Sequence, residues 1–133
     1  MKITPDNITS LGTHGVFVFG SNLNGMHIGG AALAAVKWGA IPTIGEGLQG
    51  QTYALPTKDY NLNTRTLPDI YDSVIRLLQC VEQNPDKLFM VTKVGCGLAG
   101  LTVEQVAPMF RQFLDLDNVS LPQEFIDFLT CAE

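Results

Sequence analysis

Apolar residues fall along this chain in two rhythms, short unbroken runs and stripes spaced three or four apart, with glycine and asparagine clustered between them. Residues 16–19 (VFVF) are an unbroken β-branched and aromatic run, the pattern of a strand covered on both faces. They lead into SNLNGMHIGG and then into residues 31–38, where alanine supplies helix propensity and Gly39 supplies the stop. Residues 69–81 form an amphipathic helix, with Ile70, Val74, Leu77, Leu78 and Val81 on one stripe. Thr66-x-x-Asp69 resembles a capping box at its start, with Asp in place of Glu or Gln, and Asn84-Pro85 ends it. Residues 88–94 read as a second long strand. Thr102-x-x-Gln105 opens a third helix that carries Val103, Val106, Phe110, Phe113 and Leu114 on one face, and Pro108 is expected to kink it or delay its start. Residues 118–120 are a last short strand, and Ser120-x-x-Gln123 caps a final helix with Phe125, Phe128 and Leu129. Residues 52–55 are a candidate short strand. They lie inside an aperiodic stretch, 41–63, whose length points to function or to short strands hidden in it.

Strands alternating with helices predict one domain over residues 1–133, a three-layer α/β/α sandwich with a mixed, mostly parallel sheet. Ligands of such sheets bind beyond the carboxyl ends of the strands. One unit occurs twice: a strand, a glycine-rich loop and a helix, first as VFVFG-SNLNGMHIGG and then as LFMVTKV-GCGLAG. If the two strands are close and parallel, both loops emerge on one edge. Their glycines would let the backbone approach a ligand, with helix N-termini aiming unpaired N–H groups there. That combination suits a diphosphate. Glycine-rich turns are also common for packing alone, and neither loop is a dinucleotide GxGxxG fingerprint with its acidic partner or a GxxxxGK[ST] P-loop.

Composition narrows the classes. With 46% hydrophobic and 16% charged residues, the chain has the makings of a folded core. A formal charge of −5 and no Lys/Arg cluster exclude an extended nucleic-acid surface. A small anionic ligand stays open, because backbone N–H groups bind phosphate without basic side chains. The start, MKITPDNITS, does not read as a signal peptide, and no run approaches the roughly 18 apolar residues of a membrane span. No membrane partner is expected, and the expected compartment is the cytoplasm. Cys80, Cys96 and Cys131 have neither zinc spacing nor a disulfide framework. The acids are scattered and the histidines unpaired, so neither a metal site nor a cofactor is expected.

Five segments in register are similar to the macro domain, the ADP-ribose-binding module. DNIT (residues 6–9) resembles its GDIT element, and FVFGSN (17–22) lies where macro domains read IVNAAN. NGMHIGGAALAAVKWGA parallels the glycine-rich loop and following helix. GEGLQGQTYALPTKD (45–59) is similar to the GEA…T.GY.LP segment, and VGCGLAGLTVEQVAPMF to STGIYGYP and its helix. The resemblance implies a short, divergent member with an ADP-ribose-like nucleotide or ADP-ribosylated substrate as partner. It implies that Asn22 contacts the distal ribose, a position important in family members that hydrolyse ADP-ribosyl esters. It implies that Gly29 and Gly30 wrap that ribose and its phosphate, that Gly97 and Gly100 belong to the phosphate loop, and that the Ile8 backbone meets the phosphate side. Asn7 falls at the aspartate that reads the adenine amine. The chain departs from the pattern at four positions: Asn7 is an amide, Phe19 replaces the first asparagine, Ala99 replaces the aromatic that packs on the distal ribose, and Cys96 replaces a threonine.

Taken together, the candidate ligand-binding residues are Asn7, Ile8, Asn22, Gly25, Gly29, Gly30, Lys58, Gly95, Cys96, Gly97, Leu98, Ala99 and Gly100. The candidate catalytic residues are Asn22 and Asp59. Lys58 is placed to neutralise a phosphate and Asp59 to activate a water, with Glu46 as a second acid; the bland alternative is an exposed turn with a weak ion pair. For Asn22 the bland alternative is an Asx-type bond capping its own turn. His27 is more readily a loop residue than a base, and His14 has no expected role. Cys96 has a helix N-terminus near it but no recognisable His or Asn partner. Trp38 and Phe110 read as core. The expected function is binding, with or without hydrolysis, of an ADP-ribose-like nucleotide. The alternatives are a non-catalytic sensor or reader, and a small interaction protein whose glycines only shape turns.

Overall fold

The structure, a computed structural model, describes residues 2–27 and 29–131. Its elements in chain order are β1 (Lys2–Thr4), β2 (Gly15–Asn22), α1 (Gly30–Val36), β3 (Gly47–Gln49), β4 (Thr52–Lys58), α2 (Leu67–Gln83), β5 (Leu88–Val91), α3 (Val103–Val106) running into a 3-10 helix (Ala107–Phe113), β6 (Val119–Pro122) and α4 (Gln123–Thr130). One six-stranded sheet has the order β1-β6-β5-β2-β4-β3, and only β3 runs antiparallel to its neighbour.

The period of two along the strands sorts their side chains into two cores. Val16 and Val18 of β2 join Tyr53, Leu55, Phe89, Val91, Val119 and Leu121 in the larger one. There α2 contributes Ile70, Val74, Leu77 and Val81, the stripe visible in the sequence. The 3-10 helix and α4 add Phe110, Phe113 and Phe125, with Phe110 ring centroids 5.0 and 5.5 Å from the other two. Phe17 and Phe19 point to the opposite face and meet Ala32, Ala35 and Trp38. Alanine at 32 and 35 lets α1 lie close on those two rings. Three layers result, as the alternation of elements predicts.

Several boundaries differ from expectation for identifiable reasons. The stretch 41–63 holds two strands, β3 and β4, and β4 runs on to Lys58. β5 stops at Val91 because Thr92 turns: its hydroxyl donates to the Val18 carbonyl (2.7 Å), and its own carbonyl accepts from Val94 N (2.7 Å). Ser120 does not cap the last helix. It lies in β6, where its hydroxyl is buried against Thr4 Oγ1 at 2.7 Å, and Pro122 opens α4 instead. The capping box at Thr102 and Gln105 forms in both directions, at 3.0 and 3.2 Å. Pro108 neither delays that helix nor kinks it; without an N–H to give to the fourth carbonyl back, the chain tightens to 3-10 geometry from Ala107.

From β2 the chain winds through α1 toward β4, then returns through α2 to the other side of β2 as β5. The winding therefore reverses beside β2. The carboxyl ends of β1, β6, β5, β2 and β4 all open on one edge, and the segments after β2 and β5 are neighbours there.

Candidate functional site

A cleft of about 760 Å³ runs along that edge. Every parallel strand contributes to it: Thr4 and residues 5–8 after β1, Pro122 of β6, Thr92, Lys93 and Val94 after β5, Gly20, Ser21 and Asn22 of β2, and Thr57 and Lys58 of β4. Residues 29–32 and Ala34 close one side, and Gly95, Gly97, Leu98 and Ala99 the other. Ile8, Phe17 and Trp38 make an apolar wall, with the Phe17 and Trp38 ring centroids 5.1 Å apart. Trp38 thus belongs to both the smaller core and the cleft.

Residues of both glycine-rich loops line this cleft. β2 and β5 pair directly and in parallel, and a Cβ built on Gly20 would stand 3.5 Å from Gly95 N. The glycines divide by what they face. Gly29 and Gly97 have open space where a side chain would project; neither has the left-handed φ that demands glycine, and both line the cleft. Gly30 and Gly95 also line it, at φ +57° and +78°. Gly25 does not. Its Cβ would meet Ile44 N and Thr43 C at 2.4 Å, so it is a packing glycine that lets its loop lie on residues 43–44. Gly100 closes a turn onto the Gly97 carbonyl (3.0 Å) and does not line the cleft either.

Cys96 faces away from the cleft. Its side chain packs on the larger core, Sγ lies 3.7 Å from the Val94 carbonyl, and burial pushes the thiol pKa up, against nucleophilic use. Asn22, Asn7, Ile8, Lys58, Leu98 and Ala99 do line the cleft. The Asn22 amide is engaged with Met26: Oδ1 accepts from Met26 N (2.9 Å), and Nδ2 donates to Met26 O (3.1 Å). That is the Asx-type clamp of its own loop, set at a register shift in the β2–β4 ladder. One N–H and one lone pair remain for a ligand.

The acids behave differently from expectation. Asp59 is outside the cleft lining; its Oδ1 accepts from Asn61 N (2.9 Å) and Asn63 N (3.0 Å) and so staples its own turn. Glu46 forks onto Arg76 at 2.6 and 3.2 Å, away from the cleft. The carboxylate that does line it is Asp6. His27 is buried beside Phe19, at 5.2 Å between centroids, with Nε2 3.1 Å from the Ile41 carbonyl; it does not reach the cleft. His14 is exposed before β2.

Residues that the sequence reading passed over include Asp6, Ser21, Thr57, Leu62, Thr92 and Lys93. Lys93 donates to Glu124 Oε2 at 2.9 Å, and that bond raises the lysine pKa and lowers that of the carboxyl. A strand drawn through Val94 hides Thr92 and Lys93 in the sheet, and a turn at Thr92 would have found them. Asp6 follows β1, whose three residues have no pattern to announce them.

No protein-family model matches the chain, and no curated protein does. Among solved structures, the macrodomain of Mycobacterium tuberculosis DarG is similar, with a TM-score of 0.60 over 92% of this chain and 97% of that one, at 22% identity. No helix among the described residues is long and apolar enough to cross a membrane, and none of them form a group of metal-ligating side chains. The shared architecture, reached with little shared sequence, is that of a macrodomain-like α/β fold.

Proposed function

We propose that this chain binds an ADP-ribose-like nucleotide, free or attached to a substrate, in the cleft at the carboxyl ends of its strands. The observation that carries the proposal is the pair of glycine-rich loops meeting beside β2 and β5, with Gly29 and Gly97 opening their side-chain positions onto the cleft. Main-chain N–H groups of residues 29–30 and 95–99 would take the diphosphate. Lys58, which lines the cleft without a carboxylate within salt-bridge distance among the described residues, would add a positive charge. The spare N–H and lone pair of Asn22 would take a hydroxyl of the distal ribose. A macrodomain-like neighbour supports the ligand class through fold alone.

Holding without turnover is the favoured form of this function. Asp59 and Glu46 are committed to protein partners outside the cleft, and Asp6, at the β1 end, is far along the edge from Asn22. Hydrolysis would have to proceed by positioning a water that the substrate itself activates.

Titration calorimetry with ADP-ribose tests the proposal. The wild type should bind in roughly the micromolar range. Gly97→Leu, whose side chain would project into open space, should fold normally and lose at least about tenfold in affinity. If the wild type binds neither ADP-ribose nor related phosphorylated ribosides, the glycines only shape turns. An ester-linked ADP-ribosyl conjugate should be bound and left intact; release of ADP-ribose by the wild type but not by Asn22→Ala would make the chain a hydrolase.

A further inference from the structure

The segment joining β4 to α2 has an organisation that the nucleotide site as described leaves unused. Asp59 Oδ1 gathers Asn61 N and Asn63 N, and Asp59 N donates to the Asn63 carbonyl at 2.8 Å, so residues 59–63 form a closed knuckle. The knuckle and the residue after it are tied to both glycine-rich loops. Asn24 Nδ2 donates to the Tyr60 carbonyl at 2.6 Å, and Thr64 Oγ1 donates to the Ala99 carbonyl at 2.6 Å. At its tip Leu62 has φ +64°, a left-handed conformation that a branched side chain rarely adopts. Strain of this kind persists where the surroundings over-determine it, and it concentrates at ligand clamps. Leu62 is 43% exposed and lines the cleft, as does Leu98, which is 83% exposed. The glycine-rich loops present backbone, Ala99 only a methyl group. The large, exposed apolar side chains that line the cleft from the segments after β2, β4 and β5 are Met26, Leu62 and Leu98, and of these only Leu62 lies outside the glycine-rich loops.

The position of the knuckle defines which part of a ligand meets it. Along the sheet edge β4 and β1 are separated by β2, β5 and β6, four strand spacings or about 19 Å. Asp6, Asn7 and Ile8 stand at the β1 end and Leu62 at the β4 end. A ligand that touches both is longer than a mononucleotide and on the scale of two sugars joined by a diphosphate. We infer that Leu62 is a specificity-determining residue, held over the cleft by the Asp59 knuckle to pack on the apolar face of the second sugar, and that it selects two-sugar nucleotides over ADP. Asp59 is then a positioning residue and not an acid. The inference rests on the proposed nucleotide function.

Affinities for ADP-ribose and for ADP, which lacks the second sugar, test it. Leu62→Asn and Leu62→Gly both tolerate positive φ and should melt no earlier than the wild type. Each should weaken ADP-ribose about fivefold, from the loss of one partly buried apolar contact, and leave ADP unchanged. Leu62→Met should keep most of the affinity. Asp59→Ala should reproduce the selective loss, while Asp59→Asn, which keeps the accepting oxygen, should not. Equal weakening of both ligands, or no weakening of either, overturns the inference while leaving the nucleotide site standing. Failure of the wild type to bind either nucleotide removes the site itself, and this assignment with it.

Discussion

Two glycines four residues apart in the loop after β2 should respond to alanine very unequally. Gly25 holds φ +68°, and its added Cβ would lie 2.4 Å from Ile44 N and Thr43 C, both backbone atoms. Alanine there carries a left-handed penalty of about 1–2 kcal/mol. It also pushes the loop off residues 43–44, where Thr43 N donates to the Gly25 carbonyl at 3.0 Å, and loss of that bond adds about 1 kcal/mol. The sum, about 2–3 kcal/mol, lowers Tm by roughly 10 °C in a domain of this size. Gly29 has φ −157° and nothing within 4 Å of its Cβ position. Alanine there restricts the unfolded chain, which stabilises by about 0.4–1 kcal/mol, and is a poorer N-cap than glycine by a similar amount, so Tm should move little. Gly29→Val should likewise fold but crowd the cleft and weaken ADP-ribose. Thermal unfolding followed by circular dichroism, with nucleotide titration on each variant, separates the two roles. A Gly25→Ala protein as stable as the wild type, or a Gly29→Ala protein that melts as early as Gly25→Ala, would refute the division.

Tyr53 and Cys96 give two further expectations. Burial holds the Tyr53 phenol well above its ordinary pKa in the folded state, so above about pH 10 the unfolded chain releases a proton that the native state keeps, and stability falls as pH rises. Tyr53→Phe should flatten the fall in urea midpoint between pH 9 and 11, and an unchanged slope would show that another group causes it. Burial likewise raises the Cys96 thiol, whereas Cys131 is exposed. Peptide mapping after brief iodoacetamide treatment at pH 8 should find Cys131 alkylated well before Cys96; equal labelling would contradict the inward packing of Cys96.

The fold was legible where side chains repeat a period over many residues. The α2 stripe from Ile70 to Val81 and the β2 run from Val16 to Phe19 announce themselves, because each residue's burial follows from its own neighbours in sequence. β1 and β3 have three residues each and only one buried position apiece, so their register comes from β6 and β4 and not from their own pattern. The site divides in the same way. That two glycine-rich loops would leave the same edge of a parallel sheet was readable from two strand–loop–helix units. Which glycines face the cleft was not, because Gly25 is committed by residues 43–44, long-range partners that sequence spacing does not contain. Asn22 and Asp59 show the limit for polar side chains: composition reveals a donor or an acceptor, but both are engaged by backbone N–H groups of their own turns.

The pairing of β1 with β6, Lys2 against Ser120 and Ile3 against Leu121, makes residues 2–4 wait for a partner strand that is synthesised much later. As the chain leaves the ribosome, β2, β4 and β5 can assemble around α2 while residues 2–8 have no strand to lie against. Asp6, Asn7 and Ile8 follow β1 directly, so one end of the cleft takes shape only after residues 119–122 have emerged. A nascent chain tethered short of Val119 should therefore have most of its sheet and yet an unfinished nucleotide site. Binding competence would arrive as a nearly discrete event, when β6 becomes available to β1.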